Sequence, residues 1–367
     1  ESLRLYVRWT PAYRATRTGM RLPARSIFYH RQPLIRRKDV SLVKELQAAP
    51  TALQRLSRSQ GQQILDMTRE TSTIRYRELY GFTHGDPARV LKASIGRGVE
   101  LFFSGLPPQQ RLPLRAYQAV FIFKNGVPVG YFEGLSICER MESGFNFYYT
   151  FREGETAWIY AKTLALLRQI AGVTVFTIDP YQVGYDNQEG IESGAFWFYR
   201  KLGFRPTRPK LLQLALAEER KIAGRPGYRT AARVLRQLAE GHMIFELPER
   251  QTGEWDRFQV RKLGMAVQRR MAKEFSGEAA RIRSESVKAV TRALGVRMRD
   301  WQPAELTALS DLSLVLALIP DLSRWSADEK RDVVRIISAR AGADESRYLR
   351  LLQKHTRLRG EIIRLGS

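Results

Sequence analysis

The chain is short of cysteine, histidine and acid. Its 367 residues hold one cysteine, Cys138, so no intramolecular disulfide can form, and a lone thiol fits a reducing compartment. A cytoplasmic location is the matching expectation. The four histidines, His30, His84, His242 and His355, are scattered without the spacing that a set of metal ligands requires. There is no zinc motif, Walker A loop, helix-turn-helix or internal repeat, so metal-ribbon, P-loop and sequence-specific DNA-reading classes have no positive support. No apolar run approaches the roughly 20 residues of a membrane helix. The longest candidate, residues 312–319, has the length of a core helix, and no membrane partner is expected.

Acid is scarce relative to base: 61 lysines and arginines stand against 37 aspartates and glutamates, a formal charge of +24. No acidic residue occurs from Ser2 to Lys38, where Arg4, Arg8, Arg14, Arg17, Arg36, Arg37 and Lys38 recur among Tyr6, Trp9, Tyr13, Phe28 and Tyr29. Arginine neutralises phosphates and aromatics stack on bases, so residues 1–40 read as a basic arm for nucleic acid, RNA rather than specific DNA, or for another polyanion. The same stretch also fits an arginine-rich targeting segment. It fits an edge strand too, since Leu3, Leu5, Val7 and Trp9 alternate with Arg4, Tyr6 and Arg8.

From residue 116 the pattern becomes that of a sheet. Residues 116–123 and 127–135 are β-rich and flank Asn125-Gly126, a pair whose tolerance of positive φ marks a two-residue hairpin. Residues 145–151 read as a third strand. Residues 156–170 carry Ile159, Thr163, Leu166, Leu167 and Ile170 on one helical face, and 173–178 form another strand. Then comes a polar segment, 179–190, followed by a helix with Ala195, Phe198 and Leu202 in register, stopped by Gly203 before an aromatic that opens the next strand. The fold class expected is α/β, a mixed sheet covered by helices, followed by a mostly helical C-terminal region.

The set Ala195, Tyr199, Gly203 and Phe204 resembles the Ala-x-x-x-Tyr-x-x-x-Gly-Phe ending found in the GNAT acyltransferase superfamily, and the resemblance covers roughly residues 114–206. It implies a GNAT-like fold and an acyl-CoA-dependent N-acyltransferase using acetyl-CoA or another acyl-CoA. It also implies that Tyr199 returns a proton to the departing thiolate, and that Arg152, Glu153, Gly154, Glu155, Thr156 and Ala157 form the pyrophosphate loop. Such a loop aims backbone N–H groups at phosphates from a helix N-terminus. Glu155 stands where the family has its inner glycine, and Glu192 stands where it often has asparagine.

An amine acceptor needs a base, and Glu133, a lone acid in a strand, is the first candidate, with Glu142 and Asp179 behind it. Tyr199 also fits a helix-core residue beside Trp197 and Phe198. The division expected is a basic arm over 1–40, a GNAT-like domain with a helical start over 41–206, and a basic helical region over 207–367. Helices are expected at 41–49, 51–69 and 87–103, and then at 211–223, 231–239, 254–275, 279–294, 303–318, 327–340 and 345–365. In 254–275 the stripe Val260, Leu263, Val267, Met271 and Phe275 leaves Arg269, Arg270 and Lys273 on the outer face as nucleic-acid contacts. The function expected is transfer of an acyl group to an amine of a polyanionic or nucleic-acid-linked partner. The alternative is a nucleic-acid-binding or scaffolding protein on a GNAT-like fold without catalysis.

Overall fold

The computed structural model describes residues 20–24, 26–75, 79–152 and 154–367. Arg4, Arg8, Arg14, Arg17 and Glu153 lie outside them. Among the described residues nine strands form one sheet, in the order β1-β2-β3-β4-β5-β6-β7-β9-β8. They are β1 (Leu53–Arg55), β2 (Leu91–Gly96), β3 (Val99–Ser104), β4 (Ala116–Lys124), β5 (Val127–Ile137), β6 (Arg140–Phe147), β7 (Val175–Ile178), β8 (Arg205–Pro206) and β9 (Met243–Glu246). Every pairing is antiparallel except β6 with β7. The helix between those two, α4 (Thr156–Ala171), makes the crossover a parallel pair requires.

The mixed α/β architecture is as expected, and the central hairpin turns at Asn125 and Gly126, with φ of 51° and 78°. Three local expectations are corrected. Residues 87–103 form no helix: a 3₁₀ turn at Pro87–Arg89 leads into β2 and β3. Gly96, Arg97 and Gly98 all take positive φ there, and a chain that turns back so tightly exposes a period of two in which Leu91, Ala93, Val99, Leu101 and Phe103 alternate. Residues 51–69 divide into β1 and a helix, α2 (Arg58–Thr73), because Ser57 and Gln60 form a capping box that starts the helix late. The third strand runs over 140–147 instead of 145–151, since Cys138 takes a φ of 51° and turns the chain directly from Ile137 into Arg140. The chain beyond 206 is mostly helical, as expected, with the apolar run Met243-Ile-Phe inserted as β9 between β7 and β8.

Helices cover both faces. Val120, Ile122, Phe132 and Met141 pack with Tyr160, Leu164 and Leu167 of α4 in the larger core. Phe82, Phe121, Phe123, Leu65 and Met67 form a second core, joining the opposite face to α2 and the short α3 (Tyr80–Thr83). The preceding α1 (Leu42–Gln47) packs against α4. Beyond β7 come α5 (Pro180–Val183), α6 (Gln188–Glu192) and α7 (Ala195–Arg200), then α8 (Pro209–Gly224) and α9 (Ala232–Leu238). Six helices end the chain: α10 (Val260–Phe275), α11 (Ala279–Leu294), α12 (Pro303–Leu316), α13 (Ala327–Ala341), α14 (Glu345–Lys354) and α15 (Thr356–Gly366). The single helix expected over 345–365 breaks at His355, whose Nδ1 accepts from Leu358 N at 3.2 Å and caps α15. Its Nε2 lies 3.0 Å from the Glu329 carbonyl, so this buried histidine is satisfied on both nitrogens. No helix among the described residues is long and apolar enough to cross a membrane.

Candidate functional site

β6 is the strand that creates the site. Its parallel contact with β7 covers only Arg140–Glu142 against Val175–Thr177, whereas its antiparallel contact with β5 continues to Phe147. Beyond Ser143 one backbone edge of β6 therefore has no strand partner among the described residues, and the two parallel strands part company. A cleft of about 300 Å³ lies at this divergence, lined by Glu133, Gly144 through Phe147, Arg152, Thr156 and Tyr199 among others. The polar segment 179–190 lines it through Tyr181, Gln182, Asn187 and Glu189 and folds as short helices. Asp179 caps α5 by accepting from Tyr181 N at 2.9 Å, and Asn187 caps α6 by accepting from Gly190 N at 3.3 Å.

Glu133 and Tyr199 line the same cleft. Glu133 sits on β5 opposite Ala119 and accepts a hydrogen bond from the Tyr117 hydroxyl. Burial raises its carboxyl pKa, an effect that the Tyr117 bond only partly offsets. Tyr117 pairs in register with Leu135, so Glu133 is its diagonal neighbour across the hairpin; the turn register alone places them within reach. Tyr199 is buried against Tyr160 and Phe204, at ring-centroid distances of 5.7 and 5.6 Å. It is thus core and cleft lining together. Burial pushes its phenol above the ordinary value, and its hydroxyl has no hydrogen-bond partner among the described residues. Of the other candidate bases, Glu142 lies 3.6 Å from Arg115, and Asp179 is held low first by its bond with His242.

The loop before α4 is divided in its roles. Arg152 and Thr156 face the cleft, with Arg152 Nε donating to the Phe147 carbonyl at 3.1 Å and its guanidinium paired with Glu189. The N-cap residue Glu155 makes no side-chain cap bond to α4, and among the described residues its first backbone N–H groups have no local side-chain acceptor. Glu155 turns away: its side chain is fully buried, 2.7 Å from Arg97 Nε and 3.3 Å from Lys124 Nζ, and it accepts from Ile35 N at 3.0 Å. Burial works against its charge, but Arg97, the Ile35 N–H and Lys124 outweigh it and hold the carboxyl below its ordinary range. Glu155 is therefore a neutralised structural anchor, joining the segment at Ile35 and the β2–β3 turn to α4. Gly154 lies in the turn before α4, its N donating to the Phe151 carbonyl at 3.2 Å, and Ala157 is buried in the first turn of α4.

The expected nucleic-acid contacts are not equivalent. Arg270 is committed, with Nε 3.0 Å from Glu274 and Nη1 3.1 Å from Ser286 Oγ. Arg269 and Lys273 are exposed and have no ion-pair partner among the described residues. Arg36 lies 3.6 Å from Asp39, Lys38 is exposed, and Arg37 is partly buried, which lowers its pKa. Sequence reasoning missed Tyr117, Arg97 and Lys124, the partners that give the two glutamates their opposite characters. Comparison of the chain with models of protein families, with curated proteins and with solved structures finds no match.

Proposed function

We propose that the cleft at the β6–β7 divergence transfers an acyl group from an acyl-CoA to an amine, in keeping with the GNAT resemblance of residues 114–206. The observation that carries this reading is the unpaired edge of β6 in a cleft that Glu133 and Tyr199 also line. An open strand edge recognises an extended, amide-bearing chain by adding it as a further strand. The N-terminus of α4 suits the diphosphate end of such a ligand, because N–H groups and the helix dipole both favour an anion, and Arg152 would join it by exchanging Glu189 for the ligand. Glu155 does not oppose that anion, its charge being met by Arg97 and Lys124.

The cofactor supplies an acyl group activated as a thioester. Glu133, with its raised pKa, is poised as the base that takes the proton from the acceptor nitrogen as the C–N bond forms and the C–S bond breaks. The Tyr199 hydroxyl, kept protonated by burial, donates to the departing sulfur. The acceptor is an amine on a polyanionic or nucleic-acid-linked partner, a reading supported by the free cations Arg269, Lys273 and Lys38. Calorimetric titration of nuclease-treated protein with acetyl-CoA and CoA tests the proposal. Micromolar binding is expected. Absence of binding would favour a non-catalytic nucleic-acid-binding protein on the same fold.

A further inference from the structure

A second and larger cleft, of about 550 Å³ and within the range of small-molecule sites, is lined by neither Glu133 nor Tyr199 but does include Tyr117, whose hydroxyl donates to Glu133. Its floor is a cross-strand row of Arg55, Leu91 and Phe103 on β1, β2 and β3, and one wall is α14. The chemistry of that helix is unusual for a face turned toward the sheet. Tyr348, Leu349 and Leu352 are buried, while Arg347, Arg350, Leu351 and Lys354, at positions i, i+3, i+4 and i+7, share the stripe that lines the cleft. Five cations line it, Arg55, Arg89, Arg347, Arg350 and Lys354, against two carboxylates, Asp344 and Glu345.

The two carboxylates are already occupied. Asp344 accepts from Ser346 N at 2.8 Å as the cap of α14, and one Glu345 oxygen meets Arg340. Arg350 donates to the Gln169 and Ile170 carbonyls at 2.8 and 2.9 Å, and Arg89 lies 3.1 Å from Asp86. Arg347 and Lys354 have no partner among the described residues, so their charge is available to a ligand. Two buried polar groups on the lining are also incompletely used. Gln118, 2 % exposed, accepts from Ser136 at 2.9 Å through Oε1, while its amide nitrogen has no partner among the described residues. Glu345 Oε2 is buried without a hydrogen bond.

We infer that this cleft binds a nucleotide, its phosphates on Arg347 and Lys354 and its base on the apolar wall of Leu91 and Phe103. Gln118 supplies a donor for the base edge through its amide nitrogen. Free phosphate would use the cations but neither the apolar wall nor the buried amide, and a nucleobase uses both. The site adjoins the acyl-transfer cleft only through the Tyr117–Glu133 bond and does not depend on that reading.

The test is calorimetry of the full chain with ATP, tripolyphosphate, acetyl-CoA and a short RNA at about 150 mM salt, where exposed charges are screened beyond roughly 8 Å. ATP should bind, and Arg347→Ser/Lys354→Ser should weaken it at least about tenfold, with acetyl-CoA binding unchanged. An equal charge change elsewhere, Arg269→Ser/Lys273→Ser, should leave ATP within about twofold. Both substituted pairs are exposed and unbonded, so melting temperatures should match the parent. Gln118→Leu should weaken ATP but not tripolyphosphate. No ATP binding, equal weakening by the charge control, tripolyphosphate binding as tightly as ATP, or RNA binding without ATP would each overturn the proposal. Loss of acetyl-CoA binding in Arg347→Ser/Lys354→Ser would overturn it as well, by assigning the cleft to the CoA.

Discussion

Glu133 and Glu155 stand on opposite sides of the argument about what an acid in this fold is for. Both are removed from bulk water, yet Glu155 meets two cations and a backbone N–H, whereas Glu133 meets one phenol and an open cleft. The first arrangement lowers a carboxyl pKa and the second raises it. A charge neutralised on every side serves the fold. A charge left half-satisfied beside a cleft costs stability and is retained where chemistry uses it.

The largest effect should come from removing the neutralised acid. Glu155→Gln leaves Arg97 and Lys124 facing each other without a counter-charge; with the partners about one-fifth exposed, the loss should be roughly 2–3 kcal/mol, below the full cost for a wholly buried pair. Denaturant midpoints measure it, and an unchanged midpoint would remove Glu155 from the structural role. The pH sign follows from its lowered pKa. Its stabilisation is fully present above the unfolded value of 4.5 and is lost as pH falls through the lower folded value, so the acid limb of parent stability should flatten in Glu155→Gln.

Glu133→Gln should do the reverse. It should abolish most acyl transfer, by roughly 10²-fold or more, while leaving stability unchanged or improved at neutral pH. Because the folded pKa is raised, this carboxyl favours the fold below 4.5 and loses that contribution as pH climbs through the folded value. The same titration should bring activity in as pH rises, and the limb should vanish in the variant. A destabilised Glu133→Gln with a normal rate would invert the comparison. Tyr199→Phe should cost roughly 10²-fold in rate with a small change in stability, since its hydroxyl has no hydrogen-bond partner among the described residues to lose. A normal rate would leave Tyr199 as a core aromatic beside Tyr160 and Phe204.

The contrast between the glutamates was half legible in the sequence. Glu133 could be nominated because a lone acid in an aromatic strand is conspicuous, and the Asn125-Gly126 turn fixes its register opposite Ala119. Counting two residues along that register would also have found Tyr117. Glu155 was misleading for a physical reason. Its partners come from the β2–β3 turn and from Lys124, and residues 87–103 read as a helix that has no such turn. The Gly96-Arg97-Gly98 turn was visible, but a short apolar run fits periods of 2 and 3.6 almost equally well. β9 was hidden likewise, four residues of strand among long helical stripes. The divergence of β6 from β7 depends on where β7 stops, which no local pattern states.

The smallest effect carries the same comparison to the cations of α10. Arg270 is held by Glu274 and Ser286, whereas Arg269 and Lys273 are exposed and unpaired. If the helical region contacts a polyanion, each free cation that meets a phosphate displaces about one counterion, so Arg269→Gln or Lys273→Gln should lower the slope of log affinity against log salt by about one. Arg270→Gln should barely change that slope, since its charge is already directed to Glu274, and should instead cost about 0.5–1 kcal/mol of stability through the lost bonds. Equal slopes for all three variants would show that pairing does not decide which charges reach the partner. A flat salt dependence in the parent would remove the polyanion from the acceptor side and leave the +24 charge of the chain without that use.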